Sequence, residues 1–266
     1  MKIGAPFAEP FTFMGFRMLL VLSILLIIIA VTRPPWPRNA ATIGHIAVAG
    51  LLVHATYLCG VLFAIQMQLP LGFVALIAGL QPILTAVFAN IFLHEKLNVR
   101  QWCGMALGLI GVLMVVSSKY SLGTSNWSAL GAAAIGLLGI TFGTLYQKRF
   151  CANMDLRTGG VIQYAATGLL LWALAFATET RAVHWTGQFV FALFWLSIVL
   201  SIGAIGLLYL LIRRGAASKV ASLFFLTPSV TAVMAFVLFG ESLHWLAVAG
   251  LLVTAVGVAL VMRSAK

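Results

Sequence analysis

One basic residue, Arg17, lies inside a run of apolar residues, Phe11 to Val31, that is otherwise free of charge. A guanidinium in such surroundings is costly unless it faces protein, water or an anion, so Arg17 marks a candidate site for a carboxylate or a helix end. Snorkelling or a structural tie is the bland alternative. Two histidines, His45 and His54, stand nine residues apart. On a helix they project from nearly opposite faces and form no metal pair. His54 falls near the middle of its run, where a proton relay competes with ordinary hydrogen-bonded packing. Three cysteines, Cys59, Cys103 and Cys151, are far apart, without the paired spacing of zinc or redox chemistry, and read as small packing residues. The five acidic residues are spread over distant loops. No acid–base constellation, metal site or organic cofactor is therefore expected. Exchange of protons for a cation, which needs a carboxylate embedded among apolar residues, is disfavoured too.

The elements that position these residues follow from composition. Of 266 residues, 62% are hydrophobic and 8% charged, whereas a soluble domain carries about a quarter charged residues. Nine apolar stretches reach the roughly 20 residues that cross a bilayer core. They are Phe11 to Val31, Ile43 to Gln66, Leu71 to Leu93, Val99 to Ser117, Trp127 to Tyr146, Thr158 to Ala177, Phe189 to Ile212, Lys219 to Phe239 and Leu243 to Met262. The runs are continuous rather than alternating, which excludes a β-barrel and predicts an all-α polytopic membrane protein. The first run is too long, and too poor in a small-residue cleavage site, to read as a removable signal peptide. Trp127 and Trp185 near the ends of runs read as interface anchors.

The net charge of +11 is explained by its placement rather than by nucleic acid. One side of the chain collects Arg33, Arg38, Lys96, Arg100, Lys148, Arg149, Arg157, Arg213, Arg214, Lys219, Arg263 and Lys266. The other collects Lys2, Lys119 and Arg181. By the positive-inside rule the crowded side is cytoplasmic, which puts the C-terminus inside and the N-terminus of this nine-helix chain outside.

An offset of 146 residues aligns Val74–Val115 with Val220–Val261 without a gap. It matches Pro82 with Pro228, Thr85 with Thr231, Glu95 with Glu241, Gly104 with Gly250 and Gly111 with Gly257. About a third of positions agree where composition alone gives roughly a tenth. The copies lie five spans apart, so an odd number of crossings separates them and they must be inverted, an architecture of secondary transporters. Two repeats follow, 1–117 and 127–263. Four helices fall in the first and five in the second, so a first helix is absent. A misplaced start and a genuine nine-helix variant both account for it, the former being preferred.

Several residues take structural readings. Pro82 and Pro228 interrupt their helices, freeing backbone carbonyls and making Gln81 and Thr227 candidate site residues. Glu95 and Glu241 order helix-to-helix turns on opposite faces of the membrane, and Asn98 to Gln101 forms a capping box. Gly104 with Gly108, Gly139 with Gly143, and Gly250 with Thr254 have the spacing of close helix crossings. Internal packing is preferred there, and a homodimer stays open.

The segments LQPILTAVFANIFLHEKLNVRQWCGMALGLIGVLMV and LTPSVTAVMAFVLFGESLHWLAVAGLLVTAVGVALV resemble the duplicated EamA domain of the drug/metabolite transporter superfamily. Both carry its Pro, its Glu followed by Leu, and its two spaced glycines. The stretch Phe11 to Leu20 resembles that family's second helix, and Tyr209 to Pro228 its passage from the eighth helix to the ninth. The resemblance implies a ten-helix inverted-repeat transporter that moves a small metabolite, often an amino acid and often outward, through a cavity lined by the first four helices of each half. Arg17, Tyr57, Gln81, Gln163, Tyr164, Trp195 and Thr227 are the residues expected around that solute. Pro82, Pro228, Glu95, Glu241, Gly104, Gly250, Gly111 and Gly257 are expected to be hinges or structural groups. The expected surroundings are a bacterial inner membrane, with lipid and the solute as partners and no nucleic acid. A non-transporting subunit of a larger complex and a membrane enzyme acting on lipid-linked substrates are the alternatives.

Overall fold

The computed structural model describes residues 7–69, 71–119, 127–239 and 244–263, which leaves Glu241 outside the described residues. In chain order the helices are α1 (Pro10–Thr32), α2 (Ala40–Gly50), α3 (Tyr57–Gln66), α4 (Leu71–Gly79), α5 (Gln81–Leu93), α6 (Val99–Lys119), α7 (Trp127–Phe150), α8 (Leu156–Thr178), α9 (Gly187–Trp195), α10 (Ile205–Arg214), α11 (Ala217–Ser222), α12 (Leu226–Phe239) and α13 (Trp245–Met262). A π-helical segment, Leu51–Thr56, joins α2 to α3, and another, Leu196–Ala204, joins α9 to α10. Among the described residues, nine continuous segments are long and apolar enough to cross a membrane. The fold is an all-α polytopic membrane bundle. Its exterior suits lipid, with Val31, Leu169, Val237 and Leu252 among many exposed apolar side chains.

The second and seventh spans, Ala40–Gln66 and Gly187–Arg214, run longer than their apolar patterns suggest. Polar caps start them early. Asn39 accepts a hydrogen bond from the Ala41 N–H at 2.9 Å, and Thr186 from the Phe189 N–H at 3.2 Å. The capping box at α6 forms as its sequence implies, with Gln101 N–H donating to Asn98 Oδ1 at 2.9 Å and Asn98 N–H to Gln101 Oε1 at 3.0 Å.

The 146-residue offset is visible in the backbone. Shifted by it, α1 becomes 156–178, the limits of α8. The π segment Leu51–Thr56 becomes 197–202, inside Leu196–Ala204. Leu80, the turn that separates α4 from α5, becomes 226, where α12 begins after the 3-10 turn Leu223–Phe225. Pro82 and Pro228 therefore stand just after corresponding helix interruptions, where a missing N–H does least harm.

Two compact units cut across the chain order, Met1–Leu58 with Tyr146–Arg214, and Cys59–Leu145 with Gly215–Lys266. In the first, α1 and α8 run antiparallel. A Cβ on Gly15 would meet the Trp172 indole at 2.9 Å, and one on Gly160 would meet Leu25 at 3.0 Å. Glu179, at the end of α8, turns its carboxylate onto the start of α1, accepting from the N–H groups of Phe11 and Thr12 and from the Thr12 hydroxyl, each at 2.7 Å. Negative charge at a helix start complements the dipole and satisfies donors that have no partner within the helix.

In the second unit α6 crosses α13 at backbone distance. A Cβ on Gly104 would lie 2.6 Å from the Gly257 carbonyl oxygen, and one on Gly257 2.7 Å from that of Gly104. The repeat-related pair behaves alike: Gly111 would meet the Gly250 carbonyl at 2.6 Å and Gly250 that of Gly111 at 2.7 Å. Hydrophobic association is weak in lipid, so van der Waals contact between close backbones supplies the adhesion. Beside the crossing, Phe225 packs with Met105, Val112, Val258 and Val261. Glu95 orders its surroundings by capping α11, accepting from the Ala217 N–H at 2.9 Å and the Ser218 hydroxyl at 3.0 Å. Gly111→Ala and Gly257→Ala are each expected to lose about 1–3 kcal/mol, seen as a lower unfolding temperature in detergent. Gly131→Ala, where an added Cβ meets nothing within 4 Å, is the control. Equal unfolding temperatures for all three would contradict the close crossing.

Candidate functional site

The first unit holds a buried polar cluster centred on Arg17. The eighth residue of α1, it enters roughly 10 Å along the helix and is only 2% exposed. Its Nε and Nη2 donate to the Ser201 hydroxyl at 3.0 and 2.8 Å, and Nη1 faces the Met14 sulfur at 4.0 Å. Tyr57 and Tyr164 lie within electrostatic range. Among the described residues no carboxylate pairs with Arg17. One hydroxyl and one thioether leave most of the five donors of this guanidinium without strong acceptors.

Both π segments contribute. Ser201 sits in the second, and its carbonyl accepts from the Tyr164 hydroxyl at 2.8 Å. A π turn shifts the backbone ladder out of the usual register, so a carbonyl there is available to side chains. His54 sits in the first and stacks on the Tyr164 ring, with centroids 4.4 Å apart and planes at 29°. The helix carrying Gln163 comes close because Gly50, one residue before that π segment, has no side chain: a Cβ there would lie 2.7 Å from Gln163 Cα. Gln163 donates to Gln147 Oε1 at 2.7 Å.

Several buried polar atoms of this unit have no hydrogen-bond partner, Thr167 Oγ1, Trp172 Nε1 and Ser197 Oγ, while His54 and Tyr209 both face Gln163 without the geometry of a standard hydrogen bond. Burying such atoms unpaired is expensive, and a concentration of them beside an unpaired cation is the chemistry of a site that takes water or a polar solute. The cluster offers a positive charge, hydroxyl and amide groups and aromatic faces. The acidic groups among the described residues are occupied elsewhere: Glu95 and Glu179 cap α11 and α1, Asp155 accepts from the Arg157 N–H at 2.9 Å to cap α8, and Glu9 holds the Thr180 hydroxyl at 2.8 Å and the Arg181 N–H at 2.9 Å.

The structure thus places Arg17, Tyr57, Gln163 and Tyr164 in one unit, with Arg17 and Tyr164 meeting at Ser201. Trp195, in the same unit, is 50% exposed and stacks on Phe191 at its surface. Gln81 and Thr227 belong to the second unit, Gln81 buried and Thr227 exposed. His45 keeps apart from His54, bonding Tyr146 at 2.6 Å and stacking on Phe150. Sequence reasoning missed Ser201, Ser197 and Gln147. The spacing of Ser197 and Ser201, four apart inside an apolar span, was the available signal.

A buried cation without a carboxylate partner among the described residues thus stands between repeat-related helix distortions. The EamA-like transporter family matches residues 1–117 and 126–263. This chain belongs to that family. As an EamA-like transporter it is 29% identical over 270 residues to the uncharacterized transporter YvbV of Bacillus subtilis, across 100% of this chain and 86% of that protein. It is 26% identical over 265 residues to a probable amino-acid metabolite efflux pump of Salmonella typhimurium, across 94% of this chain and 84% of the pump. A crystal structure sharing 18% identity superposes with a TM-score of 0.80, over 96% of this chain and 89% of that one, and so shares its fold.

Replacing Arg17 with the isosteric, uncharged Met is expected to raise stability in the absence of solute, because removing a buried unpaired charge recovers about 1–4 kcal/mol. Thermal unfolding of the solute-free protein checks this. A lower unfolding temperature for Arg17→Met would show instead that Arg17 is a structural tie.

Proposed function

We propose that this transporter exports a small metabolite bearing a carboxylate, an amino acid or a close relative, across the bacterial inner membrane by alternating access, and that Arg17 holds the carboxylate. The observation that carries the reading is the buried guanidinium without a carboxylate partner among the described residues. A solute anion supplies the missing counter-charge in the bound state and takes it away on release, so the charge is paired only while solute is aboard. The Ser201 hydroxyl, the Tyr164–His54 stack and the Gln163 amide, in the same unit, would give the rest of a small polar solute its partners. The name of the Salmonella relative supports amino acids as the solute class and efflux as the direction. The excess of arginine and lysine on one face supports placing that face in the cytoplasm.

Flux of amino acids into proteoliposomes, set beside flux of the corresponding decarboxylated amines, tests this reading. The full-length protein is expected to move one or more of the acids and not their amines. Arg17→Gln is expected to cut that flux by at least about tenfold, the worth of one charged hydrogen bond. Undiminished flux by Arg17→Gln, or equal flux of acids and amines, would overturn the assignment.

A further inference from the structure

At the arginine-rich end of the first unit a cavity of about 590 Å³ opens where the end of α7, the start of α8, the end of α10 and the loop before α2 converge. That volume lies within the range of small-molecule sites. Arg149 and Arg213 line it, with Trp36 and Phe150 as aromatic walls. Its one acidic wall residue, Asp155, is neutralised, because Arg157 Nη2 and Nε grip the carboxylate at 2.7 and 3.0 Å. Two guanidinium groups thus line the cavity, that of Arg149 lying 5.6 Å from the Phe150 ring centre and that of Arg213 reaching the Met154 carbonyl at 3.4 Å. A second, narrow cleft of about 10 Å³, room for a single water, shares Cys151, Ala152 and Arg213 with the large cavity and adds Gln147 and Tyr209. Gln147 is hydrogen-bonded to Gln163 at 2.7 Å, and Gln163 in turn faces the Tyr209 hydroxyl. The wide cavity and the narrow cleft thus share a wall, and Gln147 of the cleft is hydrogen-bonded to Gln163 of the buried polar cluster.

We infer that this cavity is a loading site for anionic solutes, in which Arg149 and Arg213 gather a carboxylate from the cytoplasm before it passes the Gln147–Tyr209 cleft toward Arg17. The inference rests on the carboxylate reading above, but it makes its own claim about a second site with its own electrostatics. Low-dielectric walls around two like charges focus their field and raise the local concentration of anions.

A thiol reporter in the shared wall reads that field without any transported solute. Burial pushes the Cys151 thiol up to about 11, so it reports poorly. Ala152, half-buried and lining both spaces, is better placed. In full-length protein with Cys59, Cys103 and Cys151 replaced by Ala, the Ala152→Cys thiol is modified by an anionic methanethiosulfonate (sulfonatoethyl) and a cationic one (trimethylammonioethyl). Asn153→Cys, exposed in the same wall, serves as a second reporter if the first variant folds poorly. The anionic-to-cationic rate ratio is expected to fall about tenfold at low salt when Arg149→Gln and Arg213→Gln are combined, and to lose most of that difference at high salt. Arg17→Gln is expected to leave the ratio unchanged even where it abolishes flux, so failure of the central site and failure of the loading site give different results. A ratio unmoved by the double arginine substitution would overturn the inference. So would protection of the thiol by phosphatidylglycerol but not phosphatidylcholine, which would assign the cavity to a lipid headgroup.

Discussion

Moving the charge of Arg17 out of water costs several kcal/mol even after a protein relaxes around it, and among the described residues the chain offers no carboxylate to offset that cost. What it offers is softer: the Ser201 hydroxyl, the Met14 sulfur and the nearby tyrosines. The local architecture follows from keeping that guanidinium in place without neutralising it. The π segment around Ser201 exposes a carbonyl that fixes Tyr164, Tyr164 carries His54 on its ring, and Gly50 lets Gln163 approach the other π segment. On the proposed function, a fully satisfied ion pair here would compete with the carboxylate of the solute.

The acidic residues show the complementary logic. On the proposed function a carboxylate beside Arg17 would compete with the solute, and three of the four described ones cap helix starts instead. Glu179 closes α1, Asp155 closes α8 and Glu95 closes α11. At those places their charge meets exposed N–H groups and the positive end of a helix dipole. Away from the site, the second unit obtains its cohesion from shape. Two repeat-related glycine pairs bring α6 and α13 together closely enough for backbone atoms to touch.

Much of this was legible in the chain because the bilayer imposes long apolar runs, and because duplication leaves rare residues at a fixed offset. The nine spans, the capping box at Asn98, the structural role of Glu95 and the exceptional position of Arg17 all rest on residue types whose physics is local. The partners of Arg17 were not legible. A π turn depends on which carbonyl each N–H selects, and Leu51–Thr56 and Leu196–Ala204 look like ordinary apolar helix. Neither composition nor spacing tells that Ser201 rather than Trp195 meets the guanidinium, since both lie in the same span and only the packing of α1 against its neighbours decides which face turns inward. The basic cavity was hidden for a related reason. Arg149 and Arg213 counted toward the positive-inside signal, and the convergence of α7, α8 and α10 that makes them walls of one space is a property of the folded unit.

Thermal unfolding of purified full-length protein, wild type and Arg17→Gln, titrated with a panel of amino acids and their decarboxylated amines, addresses the central claim most directly. A ligand that binds only the folded state must stabilise it. If the buried guanidinium awaits a carboxylate, one or more acids raise the unfolding temperature of the wild type, their amines do not, and Arg17→Gln shows no shift with either. Stabilisation of both proteins to the same extent, or of the wild type by amines as strongly as by acids, would contradict it.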